Sequence, residues 1–361
     1  MMTYSRRWIP YAAALLAFFH APLANSGGEH DFLLFLSGGP TYHMVTPYEG
    51  LEEGDIDANA DVLYTYLNGR FRLLGEYNQS IHESELERLQ LGWQGGDETI
   101  GWIGRFHVPS NYWNTVYHHG QYLQTSITRP FINEFEDAGG VLPTHSTGFM
   151  LETAYGLAGT AGLQAALSVG TAPVIGRDSL EPFDLLNPDS SGRAAVDMRL
   201  AYLPDSLGEN QAGLLVSGAS LAVDGNKLAE QQGLQRVDQL TLAAYTDWRW
   251  QDWRLLANLT AVVNRMKRQD QDQTDSFFSG YVQPEYDFGR GWTLFGRLEA
   301  TSNTNSSDYL ELFPDSLTDR QMLGLRFDFY RNQAITIEIS HGATIADDFG
   351  QALLQWSAVF P

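Results

Sequence analysis

Gln351 to Pro361 reads QALLQWSAVFP. In an extended chain Ala352, Leu354, Trp356, Ala358 and Phe360 share one face, and Gln351, Gln355 and Ser357 share the other with Leu353 and Val359. A strand that is apolar and aromatic on one side and mixed or polar on the other suits a barrel wall standing in lipid around a wetter interior. The competing reading is the edge strand of a soluble β-sandwich. A sandwich needs a second apolar layer to pack against, and the strands upstream offer charged residues in its place.

Those strands show the same period of two. Ile335, Ile337 and Ile339 alternate with Thr336, Glu338 and Ser340; Leu323, Leu325, Phe327 and Phe329 alternate with Gly324, Arg326 and Asp328. Leu255, Leu259 and Val263 oppose Arg254, Asn258, Thr260 and Asn264, and Trp292, Leu294 and Leu298 oppose Thr293, Arg297 and Glu299. Breaks alternate between short ones, such as Asn68-Gly69, Gly289-Arg290-Gly291 and Arg331-Asn332-Gln333, and longer ones, such as 42–59, 110–145 and 306–318. Short turns at one end and longer loops at the other define an up-and-down antiparallel transmembrane β-barrel. The pattern predicts about sixteen strands, within a range of 14 to 18, from 31–41 to 349–361. An even count puts both chain ends on the short-turn side. No fixed repeat of a propeller or β-helix is visible.

The N-terminus sets the compartment. Arg6 and Arg7 precede an apolar run from Ile9 to Phe19, and Ala24-Asn25-Ser26 offers small residues for cleavage. This is the order of a secretory signal peptide, expected over 1–26, leaving 27–361 as a single barrel domain. The run is too short to span a bilayer comfortably as a helix. A mean hydropathy of −0.26 does not argue against a barrel, because lipid-facing and lumen-facing residues cancel in the average. The chain has no Cys, which excludes a disulfide framework. Its net charge of −22 argues against nucleic acid as a partner, and loss of Arg6 and Arg7 makes the remainder two charges more acidic. Nine Trp residues suit interfacial girdles.

QALLQWSAVFP resembles the closing strand of Gram-negative outer-membrane β-barrels, where a terminal aromatic is part of the signal read by the barrel-assembly machinery. Trp356 and Phe360 take that role in the resemblance; Pro361 departs from it, since those chains usually stop at the aromatic. The longest loop, Ser110 to His145, follows the fifth strand. It therefore holds the ordinal place of the third extracellular loop of sixteen-stranded porins, which folds into the barrel and narrows it. No motif of a named porin subfamily accompanies the likeness. The resemblance implies an outer-membrane location reached through the periplasm, contact with lipid and lipopolysaccharide, a homotrimer, no cofactor, and passive diffusion of small hydrophilic or charged solutes.

The lumen follows by subtraction. Pore-wall candidates are Arg72, Arg88, Arg105, Arg297 and Arg326. The long loop is rich in aromatics (Tyr112, Trp113, Tyr117, Tyr122, Phe131, Phe135), so it is expected to pack against something. Glu134, Glu136 and Asp137 are the candidate constriction acids, set against the basic wall to produce a transverse field. Two readings of the lumen stay open: an aqueous pore, or a plugged barrel whose charges neutralise one another and whose loops hold a partner. Histidines 107, 118, 119 and 145 cluster around this loop and are weak candidates for a divalent-metal site or metal-selective channel, without HxH or HxxxH spacing to support it. No G-x-S-x-G, P-loop or H-E-x-x-H motif points to catalysis, and no enzyme activity is expected.

Overall fold

A computed structural model describes residues 28–44, 51–52, 56–81, 84–117, 120–136, 138–183, 185, 193–269 and 271–361. The expected signal peptide, 1–26, lies outside the described residues, as do His118, His119 and Asp137.

Among the described residues, sixteen long strands form one closed sheet. They are β1 (Glu29–Met44), β2 (Ile56–Asn68), β3 (Phe71–Ser80), β4 (Ser84–Gly96), β5 (Thr99–His107), β6 (His145–Gly156), β7 (Gly162–Thr171) and β8 (Ala194–Leu203). The second half comprises β9 (Gln211–Val223), β10 (Leu234–Trp250), β11 (Trp253–Arg268), β12 (Gln273–Gly289), β13 (Trp292–Thr301), β14 (Leu317–Tyr330), β15 (Gln333–Thr344) and β16 (Asp348–Phe360). Each pairs antiparallel with its neighbour in sequence. β16 closes the barrel on β1, with Leu34 opposite Phe360, Gly38 opposite Trp356 and Met44 opposite Gly350. Closure removes the unpaired edge, which would otherwise leave a row of bare amides in hydrocarbon.

The predicted count of sixteen matches, and most strand ends fall within three residues of expectation. The two-residue turns at 69–70, 251–252, 290–291 and 331–332 succeed because their residues accept positive φ: Gly69 (59°), Gln251 (54°), Arg290 (58°), Gly291 (84°) and Asn332 (59°). Outward stripes are apolar and exposed, among them Leu240, Leu259, Leu298, Leu323, Ile337 and Leu354. Exposed aromatics crowd the short-turn rim: Trp93, Tyr155, Trp250, Trp253, Phe288, Trp292, Tyr330 and Phe360. That belt marks a membrane–water interface, and Tyr42, Phe149 and Phe278 are exposed nearer the opposite rim. The opposite rim carries the long connections, which pack on one another. In the loop after β9, a short helix α1 (Lys227–Gln231) is capped by Asn226, whose amide also donates to the Arg177 and Leu312 carbonyls of two other loops.

The register of β16 follows the expected faces. Leu354 and Phe360 are exposed outward, while Leu353 stands opposite the buried, inward Glu338 and Ser357 is buried. Replacing Leu259, exposed at mid-height of β11, with Arg should destabilise the inserted barrel by about 2–4 kcal/mol, as for a cation at the bilayer midplane. Arg at Leu207, exposed in a short-turn-side connection, should stay within about 0.5 kcal/mol. Denaturant unfolding in lipid vesicles reads both. Deleting Phe360 and Pro361 removes the end of the closing ladder and should lower the inserted fraction on cell fractionation.

Candidate functional site: the lumen and its inward loop

The connection from β5 to β6 lies inside the barrel in its described residues, 108–117, 120–136 and 138–144. Its first turn is a short helix, α2 (Tyr112–Tyr117), followed by helical turns at Gln121–Leu123 and Phe131–Asn133. The turn at 121–123 reaches across to β1 and β16. Chain inside a barrel has no ladder partners for its amides and carbonyls, so other groups must supply them.

The inner wall supplies them from β12 to β15. Glu338 is fully buried. One of its oxygens accepts from the backbone N–H of Ile127 (2.8 Å) and Thr128 (3.3 Å), and the other from the Thr128 hydroxyl (2.6 Å). Arg297 donates to the Thr128 carbonyl (3.1 Å), the Thr128 hydroxyl (2.9 Å) and the Arg129 carbonyl (3.1 Å). Arg320 also donates to the Arg129 carbonyl (2.5 Å), and Arg326 to the Gln124 carbonyl (2.6 Å). Glu299 pairs with Arg297 (2.7 Å) and Arg320 (2.6 Å) while accepting from the Phe131 N–H (2.8 Å). Thr125 donates to Glu285 (3.0 Å). Wall carboxylates therefore take loop donors, and wall arginines take loop acceptors.

The helix α2 is fixed further round. Tyr112 donates to Asp247 (2.9 Å), and Arg254 binds Asp247 (2.7 Å) and the Tyr117 hydroxyl (2.6 Å). Burial, then the Asp247 charge, raises the Tyr112 phenol above its usual range; burial does the same for Tyr117 against the opposing Arg254 charge. Both stay neutral donors or acceptors at any physiological pH.

Between these polar anchors lies an apolar core inside the barrel. Trp113, Tyr117, Phe131, Ile132 and Val141 of the loop pack with Leu221, Val237, Leu256, Val262, Met266 and Phe277 of the wall. A cavity of about 20 Å³, lined by Asn111, Ile132, Pro143, Ser217 and Thr260 among others, is left between loop and wall. That is room for about one water.

The candidate residues fall into three groups. Arg297 and Arg326 stand on the inner wall, where they bind loop carbonyls instead of facing loop carboxylates. Arg88 is buried in an ion pair with Glu76; Arg105 is buried against Glu85, the Glu87 carbonyl (3.1 Å) and the Phe183 carbonyl (2.7 Å). Arg72 is half-buried beside Gln94 (2.5 Å). Glu134 is half-buried, whereas Glu136 is fully buried and turned away from solvent. Glu136 accepts from the Thr144 N–H (2.5 Å), the His145 N–H (2.9 Å) and the His145 ring (2.8 Å). Burial alone would raise the Glu136 carboxyl, but the His145 charge and these hydrogen bonds outweigh it and hold it below the usual carboxylate range. Glu136 is thus a clasp at the loop's root. Of the four histidines, 107 and 145 come together, with ring centroids 4.8 Å apart.

Sequence reading missed Glu285, Glu299, Arg320 and Glu338 as loop-holding groups, together with the apolar wall stripe. The stripe was visible as Leu256, Val262 and Met266 on the otherwise polar face of β11.

No family model matches the sequence, and no curated protein matches it. Solved structures do resemble the fold, which is that of an outer-membrane-type, porin-like barrel. An anion-selective porin from Comamonas acidovorans aligns over 92% of this chain and 100% of its own, with a TM-score of 0.62 at 12% identity. OmpF of Salmonella typhi, in complex with daunomycin, covers 92% and 98% (TM-score 0.58, 12% identity). The outer-membrane channel DcaP of Acinetobacter baumannii covers 93% and 99% (TM-score 0.57, 12% identity).

Replacing Glu338 with Ala strands two loop amides inside the barrel, at about 1–3 kcal/mol for each buried group. Hydrogen exchange at Ile127 and Thr128 should accelerate at least tenfold, with the wall strands unchanged.

Proposed function

We propose that this chain is an outer-membrane channel through which small hydrophilic or charged solutes diffuse passively, exported behind a signal peptide over 1–26 and assembled as a trimer of barrels. No chemical step or cofactor enters the proposal. The observation that carries it is a closed sixteen-strand barrel, apolar outside and charged inside, with the described residues of the connection 108–144 folded into its lumen and anchored there. A loop held so firmly sets a fixed aperture, which a diffusion channel needs for selectivity.

The passage is proposed to run along β16, β1, β2 and β3. Inner-face residues there are covered only in part: Ser37, Leu63, Thr65, Arg72, Leu353 and Gln355 are half-buried while Phe35, Asp61, Glu76 and Ser357 are buried, whereas those of β8–β15 are mostly covered. Glu134 and Asp137 are proposed as the loop acids that face it, and Arg72 as the wall cation. The apolar core beneath the loop favours a second reading, a barrel plugged by its loop that serves as a binding scaffold.

Planar bilayers separate the two. The purified protein should give discrete, voltage-stable conductance steps, and replacing 121–136 with a Gly-Ser linker should enlarge them. Silence at all voltages from folded protein would favour the plug. Exchanging Glu134 for Gln and Asp137 for Asn should shift the reversal potential in a salt gradient toward anions. An unchanged potential would remove these two acids from the constriction.

A further inference from the structure

At the root of the inward loop four ionisable side chains meet away from solvent. His107 ends β5 and His145 begins β6, and the two are cross-strand partners. Glu87 joins them through a β-bulge: the register passes from Glu76 opposite Arg88 to Tyr77 opposite Leu86, so Glu87 is the extra residue. In a regular strand Glu87 and Arg88 would point to opposite faces. At the bulge both are buried. One donor atom from each of Glu87, His107 and His145 lies within 4.8 Å of the others.

The surrounding contacts are those that orient metal ligands. The Nδ1 of His145 is 2.8 Å from Glu136, and the Nδ1 of His107 is 3.1 Å from the Asn114 carbonyl. A ring whose Nδ1–H is donated to a carboxylate or carbonyl presents Nε2 as its basic nitrogen. The Nε2 of His145 is 3.0 Å from a Glu87 oxygen. Arg88 and Arg105 are paired to Glu76 and Glu85, and Glu87 and Glu136 flank the two ring nitrogens of His145.

We propose that Glu87, His107 and His145 form a binding site for a transition-metal dication, with Zn²⁺ as the reference ion, and that Glu136 and Asn114 orient its two histidines. Two imidazoles and one carboxylate suit Zn²⁺ over Mg²⁺ or Ca²⁺, which prefer all-oxygen shells. Tetrahedral ligand atoms about 2.1 Å from the metal stand about 3.4 Å apart, so the trio must contract by at most about 1.4 Å. A fourth position goes to water or to the second Glu87 oxygen. Bound there, the ion ties the start and end of the inward loop to β4, a structural role separate from any solute passing through the lumen.

The test uses the full-length mature barrel folded in detergent, stripped with EDTA, equilibrated with ZnCl₂ and desalted. Elemental analysis should find about one zinc per chain, falling at least fivefold in H107Q and E87Q, and zinc should raise the unfolding temperature of the parent protein alone. Retention of band shift on unheated gels confirms that the variants are folded. Should a variant fail to fold, Co²⁺ added to the parent protein should give visible d–d bands that Zn²⁺ abolishes. No zinc on the folded parent, zinc retained equally by folded H107Q, or featureless Co²⁺ spectra would each overturn the site. Because none of these readings uses conductance, they stand or fall apart from the channel proposal.

Discussion

A strand of chain placed inside a β-barrel brings amides and carbonyls that no ladder can satisfy, and the interior organisation follows from that constraint. An unpartnered buried peptide group costs about 1–3 kcal/mol, so a segment as long as 124–131 crossing the lumen would be untenable on apolar packing alone. Glu338, Glu299 and Glu285 meet its donors, and Arg297, Arg320 and Arg326 meet its acceptors. The charged wall is therefore first a set of surrogate backbone partners. Its carboxylates and guanidiniums also pair laterally, Glu299 with both Arg297 and Arg320. The same groups thus remain compensated while they hold the loop.

Two kinds of force divide the loop between them. The flank nearest β9–β12 is held mainly by apolar burial, with Trp113 and Phe131 in one cluster with Val262, Met266 and Phe277, reinforced by the Tyr112–Asp247 and Arg254–Tyr117 hydrogen bonds. The segment nearest β12–β15 is held by charge-assisted hydrogen bonds, which are shorter-ranged and directional. Apolar contact fixes how deep the loop sits; the hydrogen bonds fix its register, because Thr128 must present its N–H and hydroxyl to Glu338 and its carbonyl to Arg297 at once.

The barrel was legible in the sequence because its determinants are local. Alternation along β11, β14 and β15 and turn residues such as Asn332 each operate within a few positions, and a length and aromatic content like those of 110–145 mark a loop that must pack. The lumen was less legible because its pairings are not local. Ile127 and Glu338 meet across more than two hundred residues, and nothing near Glu338 distinguishes it from Glu152 on another inner face. Glu136 shows a second obstacle: an acidic side chain in a loop reads as a constriction acid, yet burial and His145 make it a clasp. Glu87 shows a third. The parity rule that places faces so well in β11 fails at a bulge, because one extra residue turns its neighbours over.

Anchoring of this kind has a consequence for selectivity. A transverse field across an aperture requires charges that are not already spent on one another, and most inner-wall charges of β10–β15 are spent: Asp247 on Arg254, Glu299 on Arg297 and Arg320, Arg326 on Asp328. The wall of β16–β3 is different in kind. Around its half-buried face stand Gln351, Leu353, Gln355, Ser37, Leu63 and Thr65, neutral side chains with Arg72 among them, while the acids of the same face, Asp61 and Glu76, are buried. In the proposed channel a solute moving along that side would meet a mostly uncharged surface, where a single charged group would exert more influence than within the crowded ion pairs opposite. Under the proposed channel function, selectivity would rest on few charges, set by the edge of a loop whose position the far wall determines.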